Sequence, residues 1–377
     1  MYFCEDNKKL SANICKIKKP MPLSNSLSSL IVKSLCLALL LSACKNRSKD
    51  PLQNTSVQKD ANKIKVAFYN CENFFDTHHQ PGKQDEDFTP DGKYHYTQKV
   101  YEQKLHNIAT VLQSMSSNGG ELAIAGLAEI ENDRVLNDLC NQPELGDKHL
   151  KHICHNGPDP RGINVAFIYD PALFILIKEE TIPVIFTGTG HSSHGRDILH
   201  VYGILDGDTV HVFVNHWTSR RKGEDESERK RVQAAQANKD AIDGLMRTDP
   251  NTKVIVMGDF NDNPTDRSIA QTLAANDDPE RTKQAMLYNP FTAFDLNNVG
   301  TEKYRSSWNL FDQIIISAAF LQNSPQHLHF DLAKIYSPQF IIDDRKKGHN
   351  EPHRSFVGSR WINGYSDHFP VLIELNK

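Results

Sequence analysis

Nine apolar runs of strand length, each closing on polar residues, constrain this chain more than any other feature. They are Ile64–Tyr69, Leu122–Ala128, Ile163–Tyr169, Leu173–Lys178, Ile198–Leu205, Thr209–Asn215, Lys253–Met257, Phe311–Ser317 and Phe369–Glu374. Several are apolar enough to be covered on both faces. Thr97–Met115, Arg134–Cys140, Glu224–Leu245 and Asp266–Ala274 are rich in Ala, Leu, Gln, Lys and Arg and read as helices. Two packed sheets flanked by helices satisfy both patterns in one domain. Asp206-Gly207-Asp208, between two adjacent runs, predicts a tight hairpin. Asp343–Ser355, rich in Lys, His, Pro and Arg, reads as a surface loop. At 377 residues the chain is long enough for a large core.

The N-terminus has a different character. Lys16, Lys18, Lys19 and Lys33 precede the apolar run Leu35–Leu41, which is too short to span a bilayer. Ser42-Ala43-Cys44 supplies the small residues of a processing site. Leu41-Ser42-Ala43-Cys44 resembles the lipobox of bacterial lipoproteins, so residues 1–43 are expected to be removed and Cys44 to carry lipid. Residues 44–62 are polar and read as a flexible tether. The expectation is an exported protein, anchored by lipid at an outer membrane or cell surface, and monomeric.

The full chain has 43 Lys and Arg against 47 Asp and Glu, and residues 1–43 hold six of the former and two of the latter. The mature chain is therefore more acidic than the whole, and binding a polyanion requires a local basic patch. Cys71 lies in an apolar run and is expected to be a buried thiol. In an exported protein, Cys140 and Cys154 could pair across a short loop or remain free.

Polar residues at the run ends carry the chemistry. Glu129 leaves the run Leu122–Ala128 as a hard-metal ligand or as a solvated loop glutamate. Asn70 and Glu72 share a face, so Glu72 could join the metal and Asn70 could hold a ligand or a phosphate. Asp259 and Asn261 follow Val254–Met257 with the same spacing, suited to orienting water and donating to phosphate, or only to a turn before a helix. Asp367-His368 offers a metal ligand beside an imidazole. Asp312, a lone acid in an apolar run, needs a partner, and His368 is the candidate. His216 could donate to a phosphate oxygen, and the basic triplet after it, Arg220-Arg221-Lys222, could bind a polyanionic substrate or be only a solvated basic turn. His78-His79 and His191–His194 read as solvated, and Pro352 argues against a helical metal pair at His349 and His353. The sequence shows no compelling zinc site, no Gly-rich nucleotide loop and no nucleophile elbow.

Five motifs, in order, resemble the endonuclease/exonuclease/phosphatase superfamily over roughly Lys63 to Lys377. They are Phe68-Tyr69-Asn70-Cys71-Glu72-Asn73, Leu127-Ala128-Glu129-Ile130-Glu131-Asn132, Asn215-His216-Trp217, Gly258-Asp259-Phe260-Asn261 and Ser366-Asp367-His368-Phe369-Pro370. The resemblance implies a four-layer αββα sandwich with two mixed sheets, spanning residues 63–377. It implies a metal, Mg²⁺ or Mn²⁺ with Ca²⁺ as a further option, on Glu129 with Glu72 and Asp367. It implies that Asp259 aligns or activates water, while Asn70 and Asn261 position water and phosphate. His216 and His368 then stabilise the transition state, and Asp312 orients His368. Asp159-Pro160-Arg161-Gly162-Ile163-Asn164 resembles a stretch of bacterial members, with Arg161 as a phosphate contact and Asn164 where Asp is usual. Trp217-Thr218-Ser219-Arg220 resembles secreted bacterial members.

The expected function is a metal-dependent phosphodiesterase, foremost an extracellular nuclease acting on DNA or RNA. A phosphatase or sphingomyelinase-like hydrolase uses the same cleft chemistry. A non-catalytic surface binding protein is the reading from a different class.

Overall fold

The computed structural model describes residues 63–116, 119–188, 192–345 and 350–377. The signal segment, Cys44, the tether, His191 and His349 lie outside the described residues. Two large sheets use β1 Ile64–Phe74, β2 Glu121–Ile130, β3 Lys151–Cys154, β4 Asn164–Tyr169, β5 Phe174–Ile182, β6 Ile198–Leu205, β7 Asp208–His216, β8 Lys253–Asp259, β9 Ala275–Asn276, β10 Leu287–Tyr288, β11 Asp312–Ser317, β12 His329–Ile335 and β13 Val371–Asn376. The first has six strands in the order β12-β13-β1-β2-β4-β3, and the second seven, β9-β10-β11-β8-β7-β6-β5.

Both sheets are mixed. Each centres on a parallel pair, β1 with β2 and β7 with β8, flanked by antiparallel neighbours. A parallel pair needs a crossover, and a helix supplies each one. Helix α1 (Gln98–Ser116) joins β1 to β2, and α3 (Glu224–Thr248) joins β7 to β8; α2 (Asp133–Cys140) follows β2. Asn132 caps α2 by accepting the Val135 N–H at 3.0 Å.

Alternation along β1 shows why four layers form. Val66 and Phe68 face a core shared with Val212, Val214, Ile255, Met257, Ile314 and Ile373 from both sheets. Ala67, Tyr69 and Cys71 face the opposite way, against Tyr101, Leu105, Ile108 and Leu112 of α1. On the far side, Phe213, Val254 and Val256 pack under Ala234, Ala235, Ile242 and Met246 of α3. The result is the αββα sandwich that the family resemblance implies and that the apolar runs allow. Gly126 sits against the other sheet, where an added Cβ would lie 2.5 Å from Met257 Sδ.

Asp206-Gly207 forms the expected hairpin, with φ of 44° and 91°. The helix expected over Asp266–Ala274 is instead a π-helical segment, Ser268–Leu273, stopped by Ala274 at φ 59°. Neither β3 nor the edge strand β12 is marked by an apolar run, because their residues are mostly half-buried or exposed. The Cys140–Cys154 pairing is not formed: both thiols are free, Cys140 within the helix-side core and Cys154 packed against it. Cys71 is the buried thiol expected, its pKa pushed up to about 12 by burial.

Candidate active site

The C-terminal ends of both parallel pairs meet at one cleft. Asp259 ends β8, and the register sets it beside His216 on β7 and Asp312 on β11. From the other sheet, Asn70 of β1 donates through Nδ2 to Asp259 Oδ2 at 3.0 Å. This bond closes the gap between the sheets. The cleft of about 430 Å³ is lined by Asn70, Glu129, Arg161, His216, Arg220, Arg221, Asp259, Asn261, Asp367 and His368. Most of the residues expected from the sequence therefore share one cavity.

Backbone strain sharpens the placement. Glu129 at φ 62° and Asn261 at φ 51° occupy left-handed conformations that non-glycine residues seldom adopt. At Glu129 the pairing of β2 with β4 slips, which frees that residue from the ladder. The Asn73 N–H donates to Glu129 Oε2 at 2.7 Å. Glu129 Oε1 faces Arg161 Nη1 and His216 Nε2, each at 3.9 Å.

Asp259 Oδ1 accepts the Asn261 N–H at 3.0 Å, while His216 Nε2 stands 3.6 Å from Oδ2. Burial pushes the Asp259 pKa up to about 7, with His368 opposing and Asp312 reinforcing the rise. His216 is driven well below the usual imidazole range by burial and by the charges of Arg196 and Arg161. Its ring is neutral, and the carboxylates facing Nε2 favour the proton on that nitrogen. For His368, burial disfavours charge, yet Asp312 outweighs it and holds the ring well above its usual value. His368 Nδ1 lies 2.6 Å from Asp312 Oδ2, which also accepts from Thr301 Oγ1 at 2.6 Å. His368 is the imidazolium and His216 the neutral ring.

Glu72 stands apart from the cleft. Its buried carboxylate does not line the cavity, and Oε2 accepts the Ser355 N–H at 2.6 Å. Burial and Asp367 raise its pKa, against the pull of Lys104. A φ of 48° at Glu72 breaks the alternation that would have put it beside Asn70. Arg220 lines the cleft with its guanidinium engaged by Asp262 at 2.8 Å, Asp266 at 2.6 Å and the Phe311 ring. Asn164 is likewise structural, joining the Glu131 carbonyl to the Gly157 N–H. His79 is bound to Asp85 rather than simply solvated.

In the cleft, two groupings of described residues could hold a cation. The ligand atoms of Asp259, Asp312 and His368 lie within 4.8 Å of one another. That trio is a poor cation site, since a protonated His368 cannot ligate and Asp312 Oδ2 is taken up in neutralising it. Glu129 and Asp367 are the better fit for a hard divalent ion, because both present carboxylate oxygen to the cleft.

Several lining residues gave no sequence signal. Arg196 is half-buried before β6, donating to Asp159 at 2.8 Å and to the Trp217 carbonyl at 2.7 Å. Arg354, Glu302 and Tyr304 also border the cleft. Arg354 belongs to the segment read as a surface loop, where composition says nothing about what it faces.

An αββα sandwich with these residues at the strand ends is the architecture of a phosphoester hydrolase. The chain belongs to the endonuclease/exonuclease/phosphatase family, whose family model matches residues 65–377. A solved family member from Bacteroides thetaiotaomicron is similar at 18% identity, covering 83% of this chain and 94% of its own, with a TM-score of 0.51. A mannosyl-6-phosphatase from the same organism matches at 18% identity, 83% and 100% coverage and a TM-score of 0.51. TDP2 of D. rerio, complexed with a single strand DNA product, matches at 11% identity, 84% and 99% coverage and a TM-score of 0.51. At such identities the likeness establishes a shared fold. No curated protein matches the sequence.

Proposed function

We propose that this protein is a divalent-metal-dependent phosphodiesterase acting on nucleic acid, exported and anchored to a membrane through lipid on Cys44. The observation that carries the hydrolytic reading is the Asn70–Asp259 bond, which joins the ends of two different sheets at a cleft also holding Glu129 and His368. Glu129 and Asp367 would hold the metal, Mg²⁺ or Mn²⁺, whose contribution is to neutralise phosphate oxygens.

The chain's own groups divide the remaining work. Asp259, poised near neutrality, aligns a water molecule and accepts its proton, while its bonds from Asn70 and Asn261 fix the carboxylate. His216 donates from Nε2 to a phosphate oxygen. His368, charged and braced by Asp312, faces the negative charge that grows in the pentacoordinate transition state. Arg161, Arg221 and Arg354 along the cleft supply the local basic patch that an acidic protein needs to hold a polyanion. Exposed Tyr304 at the rim adds a ring on which a base can stack.

A second reading, a phosphatase of small phosphate esters, is favoured by the cleft volume, which suits a small ligand. Assay of DNA, RNA, a sugar phosphate, inositol phosphates and sphingomyelin with Mg²⁺, Mn²⁺ and Ca²⁺ separates the two. Hydrolysis of DNA or RNA, lost by about 100-fold or more in Asp259→Asn, supports the proposal; turnover of monoesters alone rejects it. Lipid anchoring predicts partition into detergent that Cys44→Ser abolishes, and unchanged partition refutes it.

A further inference from the structure

Below the cleft floor, two side chains of α1 fasten the segment that delivers Asp367 and His368. Asn107 Nδ2 donates to the Gly364 carbonyl at 2.8 Å. Lys104 Nζ donates to the Tyr365 carbonyl at 2.8 Å and to Ser355 Oγ. The Ser355 N–H reaches Glu72. The next residue continues the path: Ser366 Oγ donates to the Asn70 carbonyl at 2.6 Å and accepts the His368 N–H at 3.1 Å. One buried ammonium thus ties the Tyr365 backbone, two residues before Asp367, to the Ser355 side chain, and through the Ser355 N–H its network reaches Glu72 at the end of the strand that carries Asn70.

Lys104 is 1% exposed, between Tyr101 and Ile108 on the apolar stripe of α1. A methionine would fill that volume without desolvating a charge, so stability alone is a weak reason for a lysine there. The ammonium does supply what an apolar residue cannot, a fixed donor to a carbonyl two residues before Asp367. Catalytic geometry is sensitive to such anchoring, since a displacement of about 1 Å can cost on the order of 100-fold in rate. Lys104 does not line the cleft and cannot touch substrate.

We propose that Lys104 is a positioning residue: through Tyr365 and Ser355 it holds the segment that presents Asp367 and His368 to the cleft. The kinetic arm of this inference rests on the hydrolase reading, whereas its structural arm does not.

The test is Lys104→Met in the full chain, read by hydrogen exchange after chelation and by steady-state kinetics with Mn²⁺. Exchange over residues 363–368 should rise about tenfold or more, with 253–259 and 312–317 unchanged; kcat should fall on the order of 100-fold, with KM within about twofold. Unchanged exchange over 363–368 overturns the proposal. So does faster exchange with kcat intact, which makes the residue structural only. If Lys104→Met does not fold, Lys104→Met with Glu72→Gln removes both charges and is read in the same way. Failure of that pair to fold assigns Lys104 to stability and also overturns the proposal. A wild-type protein inactive on every phosphate ester would reject the hydrolase reading, while exchange in the chelated protein still decides the anchoring.

Discussion

His368 Nδ1 and Asp312 Oδ2 are 2.6 Å apart across the two sheets, His368 just before β13 of one and Asp312 at the start of β11 in the other. Thr301 ties the pair from both sides, bonding Asp312 through its hydroxyl and accepting the Phe369 N–H on its carbonyl. The charge on His368 therefore depends on how the sheets are stacked.

That dependence gives a pH prediction. An imidazole whose folded pKa exceeds its unfolded value of about 6.5 is held charged by the fold. The stabilisation is complete below about pH 6.5 and disappears as pH rises through the raised folded value. Asp312→Asn should lower kcat/KM by about 100-fold and move the alkaline limb of the pH–rate profile to lower pH. A profile with the same alkaline limb would remove Asp312 from this role.

The proposed metal dependence is expected to be separable from folding. Prolonged EDTA should abolish hydrolysis and leave the far-UV circular dichroism intact. Glu129→Gln should raise the half-saturating Mn²⁺ concentration by about tenfold or more. Activity that persists through chelation, or a metal response unchanged in the variant, would count against Glu129 as ligand.

His211, on the outer side of the second sheet, gives a second pH signature away from the cleft. Its ring stacks on Tyr202 and its Nδ1 lies 2.9 Å from His200 Nε2. Burial, then the charge of His200, lowers its pKa to about 4. The unfolded chain thus takes up this proton first, and stability declines from about pH 6.5 down to about pH 4. His211→Gln should lose less melting temperature than wild type between pH 7 and pH 4. An equal loss in both proteins would refute the assignment.

The free thiols can be counted. Burial pushes Cys140 and Cys154 up to about 12, so native alkylation at pH 8 should be slow at both. In denaturant without reductant, both should be alkylated to completion. A Cys140–Cys154 peptide linked by disulfide in the mass spectrum would contradict the structure.

Much of the site was legible because strand ends are local. Asn70, Glu129, His216 and Asp259 each follow a run whose apolar alternation marks where the pleat leaves the core, and that reading needs no partner. The same local logic failed two residues later: Glu72 should share the face of Asn70, but a left-handed φ and Ser355, far along the chain, turn it away. Lys104 was discoverable, since a lysine on the apolar stripe of α1 requires a buried acceptor. Arg196 and Arg354 were not, because a charged loop residue looks the same in sequence whether it meets solvent or a cleft.

Periodicity and composition indicated two packed sheets with helices over them, most of the strand ends and the polar residues available there, because these follow from which side chains leave water. Tertiary structure decided the protonation of the two histidines, the fate of Glu72 and which arginines reach the cleft. Those properties depend on fields and hydrogen bonds between groups far apart in the chain, which exist only once the two sheets are stacked.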